Sequence, residues 1–406
     1  MVGTAERQII PPVIPPTIQP GATLGVMGGG QLGAMLATAA RRMGYRVEAF
    51  SDVADCPAAH HCDRVHVVAY DDATALAASA RGFDVVTFEF ENVSAEPLRA
   101  LAAVVPVRPA PEVLFTTQDR GREKAFLVRE GFACAPHRMV RSREDLHAAV
   151  AVLGLPAVLK TAAFGYDGKG QRKLESGTDG PAIDAAWNEL GFRNSVPQEL
   201  VLEGWIDFDC EISVVAARGL DGGTAVFAPT RNLHRHHILD VSSAPAGLPG
   251  DVLDAATTMA AAVLEKLGVV GVACVEFFVT RDGRVLVNEI APRPHNSGHL
   301  TIEACETSQF EQQARAICGL PLGSTRQLRP AAMANLLGDC WANGEPNWAA
   351  ALAVPGVSLL LYGKSQPRPG RKMGHLTALA DTVEAAIANV TRARSLACGE
   401  SSSALS

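Results

Sequence analysis

Two glutamates in the stretch VGVACVEFFVTRDGRVLVNEIAPRPHNSGH are placed to hold a divalent cation. The dipeptide Asp282-Gly283 predicts a two-residue hairpin turn. That turn places Glu276 directly opposite Glu289 on the two strands. Facing carboxylates repel each other unless a cation lies between them, and paired carboxylates commonly share Mg²⁺ with substrate phosphates. The hairpin therefore predicts a metal site, and the alternative is a solvated pair of acids on an exposed strand face.

A glycine-rich loop with two lysines lies further toward the N-terminus, in LKTAAFGYDGKGQ. Lys160 ends a predicted strand, and Lys169 stands in the loop with Gly165, Gly168 and Gly170. Such a loop lets backbone N–H groups approach phosphate oxygens, while lysines supply positive charge. The spacing is not that of a Walker A loop. The loop either cradles phosphates or forms a flexible hairpin tip.

Other charged residues stand where an ordinary surface does not explain them. Glu203 and Glu211 lie in ELVLEGWIDFDCEISV, where an acid beside apolar residues is costly unless it is paired or ligand-bound. The segment RNLHRHHILD carries His234 and two further histidines. The segment LYGKSQPRPGRKMGH carries a basic cluster, which consists of Lys364, Arg368, Arg371 and Lys372. This cluster predicts either an anion pocket or an exposed basic loop.

A third glycine pattern, LGVMGGGQLGAML, fits the dinucleotide-binding fingerprint. Gly28, Gly30 and Gly33 have the G-x-G-x-x-G spacing, and Asp52 follows at about the required distance. An NAD-dependent oxidoreductase would explain this glycine pattern but no other motif. It would leave the paired glutamates, the lysine-bearing loop and the basic cluster without a role. We therefore expect the turn to hold the phosphate of another ligand.

The composition sets limits on the function. A net charge of −7 over 406 residues argues against a general binder of nucleic acid or of membrane surfaces. The nine cysteines show no C-x-x-C pair, which predicts reduced thiols in a cytoplasmic protein and no disulfide framework.

The elements that must position these residues follow an α/β pattern. Short β-like runs alternate with alanine-rich helices over about the first 110 residues, which predicts a doubly wound, Rossmann-like parallel sheet. A second αβ region and a small β-rich module follow. The predicted division is a proline-rich disordered arm (1–20), a doubly wound domain (21–135), a lid (136–206), a central domain (207–330), a C-terminal domain (331–395) and a tail (396–406).

The set of motifs resembles a known family. The order of a doubly wound domain, a lysine-bearing lid and a carboxylate hairpin is that of ATP-grasp enzymes. GGGQLGAML, FGYDGKGQ, NEIAPRPHNSGH and YGK…RPGRKMGH together resemble the 5-(carboxyamino)imidazole ribonucleotide synthetases over about residues 21–390. The resemblance implies an ADP-forming carbon–nitrogen ligase of purine biosynthesis, acting as a homodimer. Such an enzyme activates bicarbonate with ATP as carboxyphosphate and carboxylates 5-aminoimidazole ribonucleotide.

The resemblance also implies roles for individual residues. ATP contacts are expected from the following residues: Arg120, Lys160, Gly165, Tyr166, Asp167, Gly168, Lys169, Gly170, Gln171, Glu203, Gly204, Trp205, Ile206, Glu211, His234, Asn288 and Glu289. Mg²⁺, or Mn²⁺ in its place, is expected on Glu276 and Glu289. An ideal strand would point Asn288 away from Glu289.

The remaining roles concern the two other substrates. The aminoimidazole ribonucleotide is expected on Gln31, Leu32, Glu89, Asn92, Lys364, Arg371 and Lys372. Tyr166, Asp167 and Lys169 are expected at the reacting groups, and Arg293, His295 and Asn296 around bicarbonate or carboxyphosphate. The nearest rival is a formate-dependent glycinamide ribonucleotide transformylase of the same architecture. A biotin carboxylase shares the carboxyphosphate chemistry, but the chain shows no biotin-facing region, and a non-catalytic nucleotide-binding module would not need the basic residues Lys364 and Arg371.

Overall fold

The structure is a computed structural model that describes residues 15–163, 170–193 and 196–399. Five residues of the predicted lid loop lie outside the described part, as do most of the predicted arm and tail; the lid residues are Gly165, Tyr166, Asp167, Gly168 and Lys169. Ile18 donates its N–H to the Cys318 carbonyl at 2.8 Å and accepts a hydrogen bond from the Tyr45 hydroxyl. This part of the predicted arm therefore belongs to the fold, and the prediction of disorder up to residue 20 is wrong there.

The first unit is a parallel sheet of four strands in the order β3-β2-β1-β4, which confirms the doubly wound domain. Its strands have four to six residues, with β1 and β4 fully buried, and its helices include two that begin at the capping residues Asp72 and Ser94. Its elements are β1 (Thr23–Met27), α1 (Gln31–Arg42), β2 (Arg46–Ser51), β3 (Arg64–Val67), α2 (Ala73–Ser79), β4 (Val85–Phe88), α3 (Ala95–Ala102) and α4 (Pro111–Thr117).

The second unit is an antiparallel sheet in the order β5-β10-β6-β7, with helices packed on one apolar face. The glycine-rich loop lies between β6 and the edge strand β7, which form an antiparallel hairpin. Its elements are α5 (Arg120–Arg129), which leads into it, β5 (His137–Val140), α6 (Arg143–Leu153), β6 (Ala157–Thr161), β7 (Gln171–Leu174), α7 (Gly180–Leu190), β8 (Phe192–Arg193), β9 (Val196–Pro197) and β10 (Leu200–Gly204).

The third unit is a sheet of nine strands that runs across the predicted boundary at residue 330, because β14 pairs with β17. Among the described helices, none is long and apolar enough to cross a membrane. The elements are β11 (Phe208–Arg218), β12 (Thr224–Val226), β13 (Thr230–Arg235), β14 (Ile238–Ala244), α8 (Gly250–Leu267), β15 (Gly271–Thr280), β16 (Val285–Ala291), α9 (Thr301–Ala304), α10 (Gln309–Cys318), β17 (Ala331–Leu337), α11 (Trp348–Leu352), β18 (Val357–Leu361), β19 (Lys372–Leu379) and α12 (Val383–Cys398).

The first and third units are joined near the site by one apolar cluster. It combines Leu24 and Leu36 of the first unit with Phe310 and Ile317 of α10 and with Tyr362, which precedes the basic cluster. This packing brings the start of α1, the N-terminus of α10 and the chain around residues 362–372 into one region. Residues far apart in sequence can therefore share a ligand there.

The hairpin of β15 and β16 keeps the predicted pairing of Glu276 with Glu289, but not the predicted turn. Val279 pairs with Val285, and Thr280 and Arg284 are hydrogen-bonded to each other, so the loop has three residues, with Gly283 at a positive φ. A register shift at Asn288 restores the alignment before Glu289 is reached. The prediction of a two-residue turn was therefore wrong. The bulge at Asn288 offsets the register change that the three-residue loop introduces.

The expectation that all cysteines are reduced is wrong for one pair. Cys340 and Cys398 form a disulfide between the short 3₁₀ helix Gly338–Trp341 and the end of α12. The two cysteines are 58 residues apart, so simple sequence spacing gave no sign of the pair. The disulfide fixes the end of the last helix to the segment that follows β17.

We expect reduction of this disulfide to lower the free energy of unfolding by about 2–4 kcal/mol, because the cross-link restricts the unfolded chain. Urea unfolding with and without dithiothreitol measures the change. A Cys398→Ser variant serves as the control, since its unfolding should not respond to the reductant. Identical unfolding curves for the wild type under both conditions would contradict the expectation.

Candidate active site

The paired carboxylates each have a cationic partner. His295 Nε2 lies 2.9 Å from Glu276 Oε1, and Arg120 Nη1 lies 3.5 Å from Glu289 Oε2. Asn288 and Glu289 are both partly exposed, whereas their neighbours in β16 are buried. The bulge therefore removes the alternation that would have pointed Asn288 away from Glu289. Side-chain oxygen atoms such as those of Glu276, Asn288 and Glu289 are the ligand type that Mg²⁺ prefers.

Within the described residues, no group of three or more histidine, cysteine, aspartate or glutamate side chains is arranged to hold a metal. The two hairpin carboxylates alone therefore fit an ion that takes its other ligands from ATP phosphates and water, as Mg²⁺ commonly does. The proton between Glu276 and His295 resides on the imidazole. Burial opposes this charge on His295, but the adjacent Cys274 sulfur and Glu276 carboxylate raise the pKa of His295 above its usual range.

A buried cluster of opposite charges surrounds the end of β6. The Glu203 carboxylate lies 2.7 Å from Lys160 Nζ and 3.5 Å from Lys124 Nζ, and Glu203 is almost completely buried. Burial opposes ionisation of this carboxyl, but Lys160 and Lys124 outweigh burial and lower the pKa of Glu203 to about 2. Glu203 thus holds two lysine side chains in place. Because its carboxylate is engaged by these lysines, we expect the backbone beside Glu203 to make the adenosine contacts.

Two residues of this cluster escaped the sequence predictions. Glu123 and Lys124 follow Arg120 on the same face of α5 and are buried. Glu123 accepts a hydrogen bond from the Ile290 N–H at 2.6 Å, and Lys124 donates to the Asn288 carbonyl at 3.0 Å. Burial raises the pKa of Glu123 to about 8. Helical spacing in QDRGREK was the available signal, and both residues fix the β16 backbone next to Glu289.

A cavity lies between the first unit and the hairpin, and it contains another residue that the sequence did not single out. Glu91 pairs with Arg293 at 2.7 Å, and burial raises the pKa of Glu91 against the pull of that guanidinium. The cavity brings together side chains from separate units; it is lined by Glu91, Asn92, Thr117, Gln118, Arg120, Ala162 and Glu289. Of the two acids in TFEFEN, Glu91 lines this cavity, whereas the contact of Glu89 with the aminoimidazole ribonucleotide stays a prediction.

Glu89 occupies the glycine turn. Its carboxylate accepts hydrogen bonds from the N–H groups of Gly30 and Gly33, the second at 2.5 Å. A Cβ at Gly28 would lie 2.4 Å from Glu89 Cγ, so the glycines make room for this side chain. Phosphate binding by these two amides, predicted from the fingerprint, is therefore wrong. The same occupancy removes the basis for a nicotinamide dinucleotide, while contacts of Gln31 and Leu32 with substrate stay predictions.

The basic cluster holds its own loop in shape. Lys364 Nζ donates to the Lys372 carbonyl at 2.7 Å and lies 5.5 Å from the centre of the Tyr362 ring. Arg371 donates to the Gln366 carbonyl and accepts, through its own carbonyl, from the Gly338 N–H. Lys364, Arg371 and Lys372 are all partly exposed and remain positively charged candidates for a phosphate.

The remaining predicted nucleotide contacts lie in β10, β11 and β13 and in the residues that follow β10. His234 Nδ1 is 2.8 Å from Glu211 Oε2, so the structure brings this pair together as expected. The N–H groups of Gly204 and Trp205 donate to the carbonyls of Pro136 and Pro156, and Trp205 is largely exposed beside partly exposed Ile206.

The described ends of the lid loop, Gly170 and Gln171, are held by their neighbours. The Gly170 carbonyl accepts from the Thr161 N–H at 2.8 Å, and the Gln171 amide lies 3.4 Å from His237 Nδ1. Both residues are therefore positioned beside the strand that ends near Lys160. Their contact with ATP stays a prediction.

Asn296 is buried beside His295, and neither of its side-chain amide atoms has a hydrogen-bond partner in the described part of the chain. A buried amide without partners is costly. This residue therefore suits contact with a small polar ligand, in agreement with its predicted place in the bicarbonate pocket.

Comparison with known proteins decides the family. The chain matches models described as the ribonucleotide synthetase preATP-grasp domain over residues 21–118, the ATP-grasp domain over 125–310 and the phosphoribosylaminoimidazole carboxylase C-terminal domain over 331–389. It is 45% identical over 359 residues to the N5-carboxyaminoimidazole ribonucleotide synthase of Brucella melitensis, covering 88% of this chain and 96% of that one. The chain belongs to the N5-carboxyaminoimidazole ribonucleotide synthase family. The synthase of Bacillus subtilis is 40% identical, with 88% and 91% of the two chains covered.

Solved structures of the synthase family agree along nearly the whole chain. The Staphylococcus aureus synthetase in complex with ADP superimposes with a TM-score of 0.86 at 33% identity, covering 93% of this chain and 98% of that one. The Aspergillus clavatus synthase in complex with ADP and 5-aminoimidazole ribonucleotide gives 0.80 at 28% identity, with 93% and 98% covered. These matches confirm an ATP-dependent ligase with the ATP-grasp fold.

Proposed function

We propose that this chain carboxylates the exocyclic amine of 5-aminoimidazole ribonucleotide, with bicarbonate activated by ATP as carboxyphosphate. The observation that carries the proposal is the cavity shared by Glu91 and Asn92 of the first unit with Arg120 and Glu289 of the ATP-grasp part. A substrate held by the first unit would meet phosphate groups held by the second in this cavity. Relatives that bind ADP and 5-aminoimidazole ribonucleotide support the same assignment.

The ATP phosphates are proposed to lie between Arg120, Lys160 and the lid. Arg120 is directed at Glu289 and Lys160 at Glu203, so both cations are already oriented toward the site. Positive charges fixed in a water-poor site stabilise the charge that develops when the γ-phosphoryl group is transferred. Tyr166, Asp167 and Lys169 would close over the reacting groups from the lid loop.

A metal ion is proposed on Glu276 and Glu289, with Asn288 assisting. Bound Mg²⁺ would neutralise phosphate charge during transfer, and Mn²⁺ has similar ligand preferences. Protonated His295 pairs with Glu276 Oε1 at 2.9 Å, which would fix the orientation of that carboxylate. Lys124 and Glu123 hold the strand that carries Glu289.

Bicarbonate is proposed to bind against Arg293, His295 and Asn296. In the first step a bicarbonate oxygen attacks the γ-phosphorus of ATP, and ADP departs. The amine nitrogen then forms a bond to the carbonyl carbon, phosphate leaves with the electron pair of the broken C–O bond, and the nitrogen loses a proton. The chain's own residues contribute mainly position and charge to these steps.

The 5-aminoimidazole ribonucleotide phosphate is proposed to bind Lys364, Arg371 and Lys372, with Gln31 and Leu32 near the ribose. Glu89 would contribute by holding the glycine turn that presents those two residues. The resemblance further implies a homodimer, which light scattering in solution would test.

The proposed function is tested by ADP release from the wild-type protein with each acceptor in turn. We expect turnover that requires both bicarbonate and 5-aminoimidazole ribonucleotide. Formate with glycinamide ribonucleotide should give only the background rate. Turnover with formate and glycinamide ribonucleotide would show the transformylase activity instead. ADP release at the same rate with and without each acceptor would contradict both assignments.

A further inference from the structure

The side chain of Gln309, at the start of α10, is completely buried beside the proposed bicarbonate pocket. Its Oε1 accepts a hydrogen bond from the His295 N–H at 2.8 Å, and its Nε2 donates to the His295 carbonyl at 2.7 Å. Nε2 also lies 3.1 Å from His299 Nδ1. One amide thus bonds both backbone groups of the residue whose imidazole contacts Glu276.

No strand pairs with His295 in the described structure; besides the Gln309 amide, its carbonyl accepts from the Gly298 N–H at 3.1 Å, within the following 3₁₀ helix. It lies between the end of β16 and the short 3₁₀ helix Asn296–Leu300, in an irregular segment. Its ring is held by the Ser297 hydroxyl at Nδ1, 2.8 Å away, and by Glu276 at Nε2. The position of the ring therefore depends on a backbone that Gln309 fixes from outside the segment.

The fit around the Gln309 amide is close. A Cβ on Gly298 would lie 2.5 Å from Gln309 Oε1, so the segment needs a glycine at that position to admit the amide. The Gln309 N–H donates to Thr301 Oγ1 at 3.0 Å, which fixes the start of α10 against the same segment. The two hydrogen bonds to His295 also decide which end of the amide is oxygen, because the backbone N–H can only donate.

A series of side-chain contacts connects the Gln309 amide, through His299, to the proposed site of the substrate phosphate. The His299 ring lies 5.0 Å from the His375 ring, and His375 Nδ1 is 3.0 Å from the Tyr362 hydroxyl. The Tyr362 ring in turn supports Lys364. Gln309 is therefore placed where the carboxyl-transfer side and the substrate-phosphate side of the site meet.

We propose that Gln309 is a positioning residue for carboxyl transfer, which holds His295 in register with Glu276 and with the proposed bicarbonate pocket. Gln309 itself touches no reacting group, and it acts through the His295 backbone. The inference rests on the proposed function, because it assigns Gln309 a part in that reaction.

The chain offers a matched control on the same helix. Gln312 is also completely buried and makes the same pair of bonds to another residue: its Nε2 donates to the Gly323 carbonyl at 2.6 Å, and its Oε1 accepts from the Gly323 N–H at 2.9 Å. Gly323 lies in the loop after α10, away from the cavity and the hairpin. Gln309→Met and Gln312→Met therefore remove the same pair of backbone bonds at two different residues, and Gln309→Met also removes the contact with His299 Nδ1.

The experiment compares kcat, KM and the ratio of ADP to carboxylated product for both variants, together with their melting temperatures. We expect similar losses of melting temperature, a kcat at least tenfold lower in Gln309→Met than in Gln312→Met, and more ADP per product in Gln309→Met alone. The excess ADP would come from activated bicarbonate that decomposes before it meets the amine. A kcat and an ADP ratio in Gln309→Met that match those of Gln312→Met would overturn the proposal.

Gln309→Glu keeps the test decisive if Gln309→Met does not fold. The carboxylate has nearly the shape of the amide and still accepts from the His295 N–H, but it loses the donor to the His295 carbonyl. We expect an ADP ratio above that of the wild type, and a wild-type ratio would overturn the proposal. If the wild type itself releases no ADP in response to 5-aminoimidazole ribonucleotide, the proposed function fails, whereas an active wild type with unaffected variants removes only the role of Gln309.

Discussion

Replacement of Glu289 by glutamine is expected to lower kcat by about a hundredfold to a thousandfold, the usual cost of losing one preorganised electrostatic group in a reaction centre. The amide keeps the size of the side chain but removes the negative charge that a divalent cation needs. Glu289 is partly exposed and pairs with Arg120 at 3.5 Å, so the fold does not depend on this charge. The Mg²⁺ concentration that gives half-maximal rate should rise together with the loss of kcat.

Two roles of Glu289 can be separated by the measurement. If Glu289 only orients Arg120, the Glu289→Gln variant should show a higher KM for ATP and an unchanged response to Mg²⁺. If Glu289 is a metal ligand, the Mg²⁺ response changes, while metal-free ADP binds as it does in the wild type. Initial rates across a Mg²⁺ titration and calorimetry with ADP measure the two quantities.

The control for this prediction is Glu306→Gln. Glu306 forms an ion pair with Arg326 and lies outside the cavity and the hairpin. That variant should keep the wild-type rate and Mg²⁺ response, because solvent-exposed ion pairs contribute little to stability. Wild-type rates for Glu289→Gln at every Mg²⁺ concentration would show that the metal assignment is wrong.

The hairpin shows how far local sequence rules reach. Turn propensity and apolar alternation were sufficient to place Glu276 opposite Glu289. They failed at the turn and at Asn288, because a three-residue loop and a bulge have compensating effects on register. Local rules thus predicted which residues meet but not how the strand reaches that pairing.

The glycine turn shows a failure of another kind. Its spacing matches a phosphate-binding fingerprint, and backbone N–H groups at a helix N-terminus do attract anions. The anion in this chain is the carboxylate of Glu89, which directly follows the neighbouring parallel strand β4. Nothing in the local pattern distinguishes a ligand phosphate from a side chain far along the sequence.

Residues that act through others are the hardest to predict from sequence. Lys124 and Gln309 belong to no motif with a recognised chemistry, and each is defined by contacts made across the fold. The motifs identify groups that could touch ligands. The tertiary structure is needed to show which buried side chains hold those groups in place.

Replacement of Glu203 by glutamine is expected to lower the free energy of unfolding at pH 7 by about 3–5 kcal/mol, because removing one partner leaves buried charges uncompensated. Lys124 and Lys160 would lose the carboxylate that lies 3.5 Å and 2.7 Å from their Nζ atoms. Lys160 would also lose its fixed direction, so the KM for ATP should rise. Urea unfolding and initial rates measure the two effects.

The matched control is Glu199→Gln, in the same subdomain. Glu199 pairs with Arg141 at 2.7 Å, but both side chains are at least half exposed, so this change should cost less than about 1 kcal/mol. Equal losses of stability in Glu199→Gln and Glu203→Gln would mean that burial of the cluster around Glu203 has no energetic consequence.

The same carboxylate predicts a dependence of stability on pH. The pKa of Glu203 is about 2 in the folded chain, whereas an unfolded glutamate titrates near about 4.3. A depressed folded-state pKa gives stability that is fully present above the unfolded value and is lost as the pH falls toward the folded value. The difference in unfolding free energy between the wild type and Glu203→Gln should therefore be largest near pH 7 and shrink steadily below about pH 4.3. A difference that stays constant from pH 7 down to pH 3.5 would show that folding does not lower the pKa of Glu203, which would contradict the assigned pairing with the two lysines.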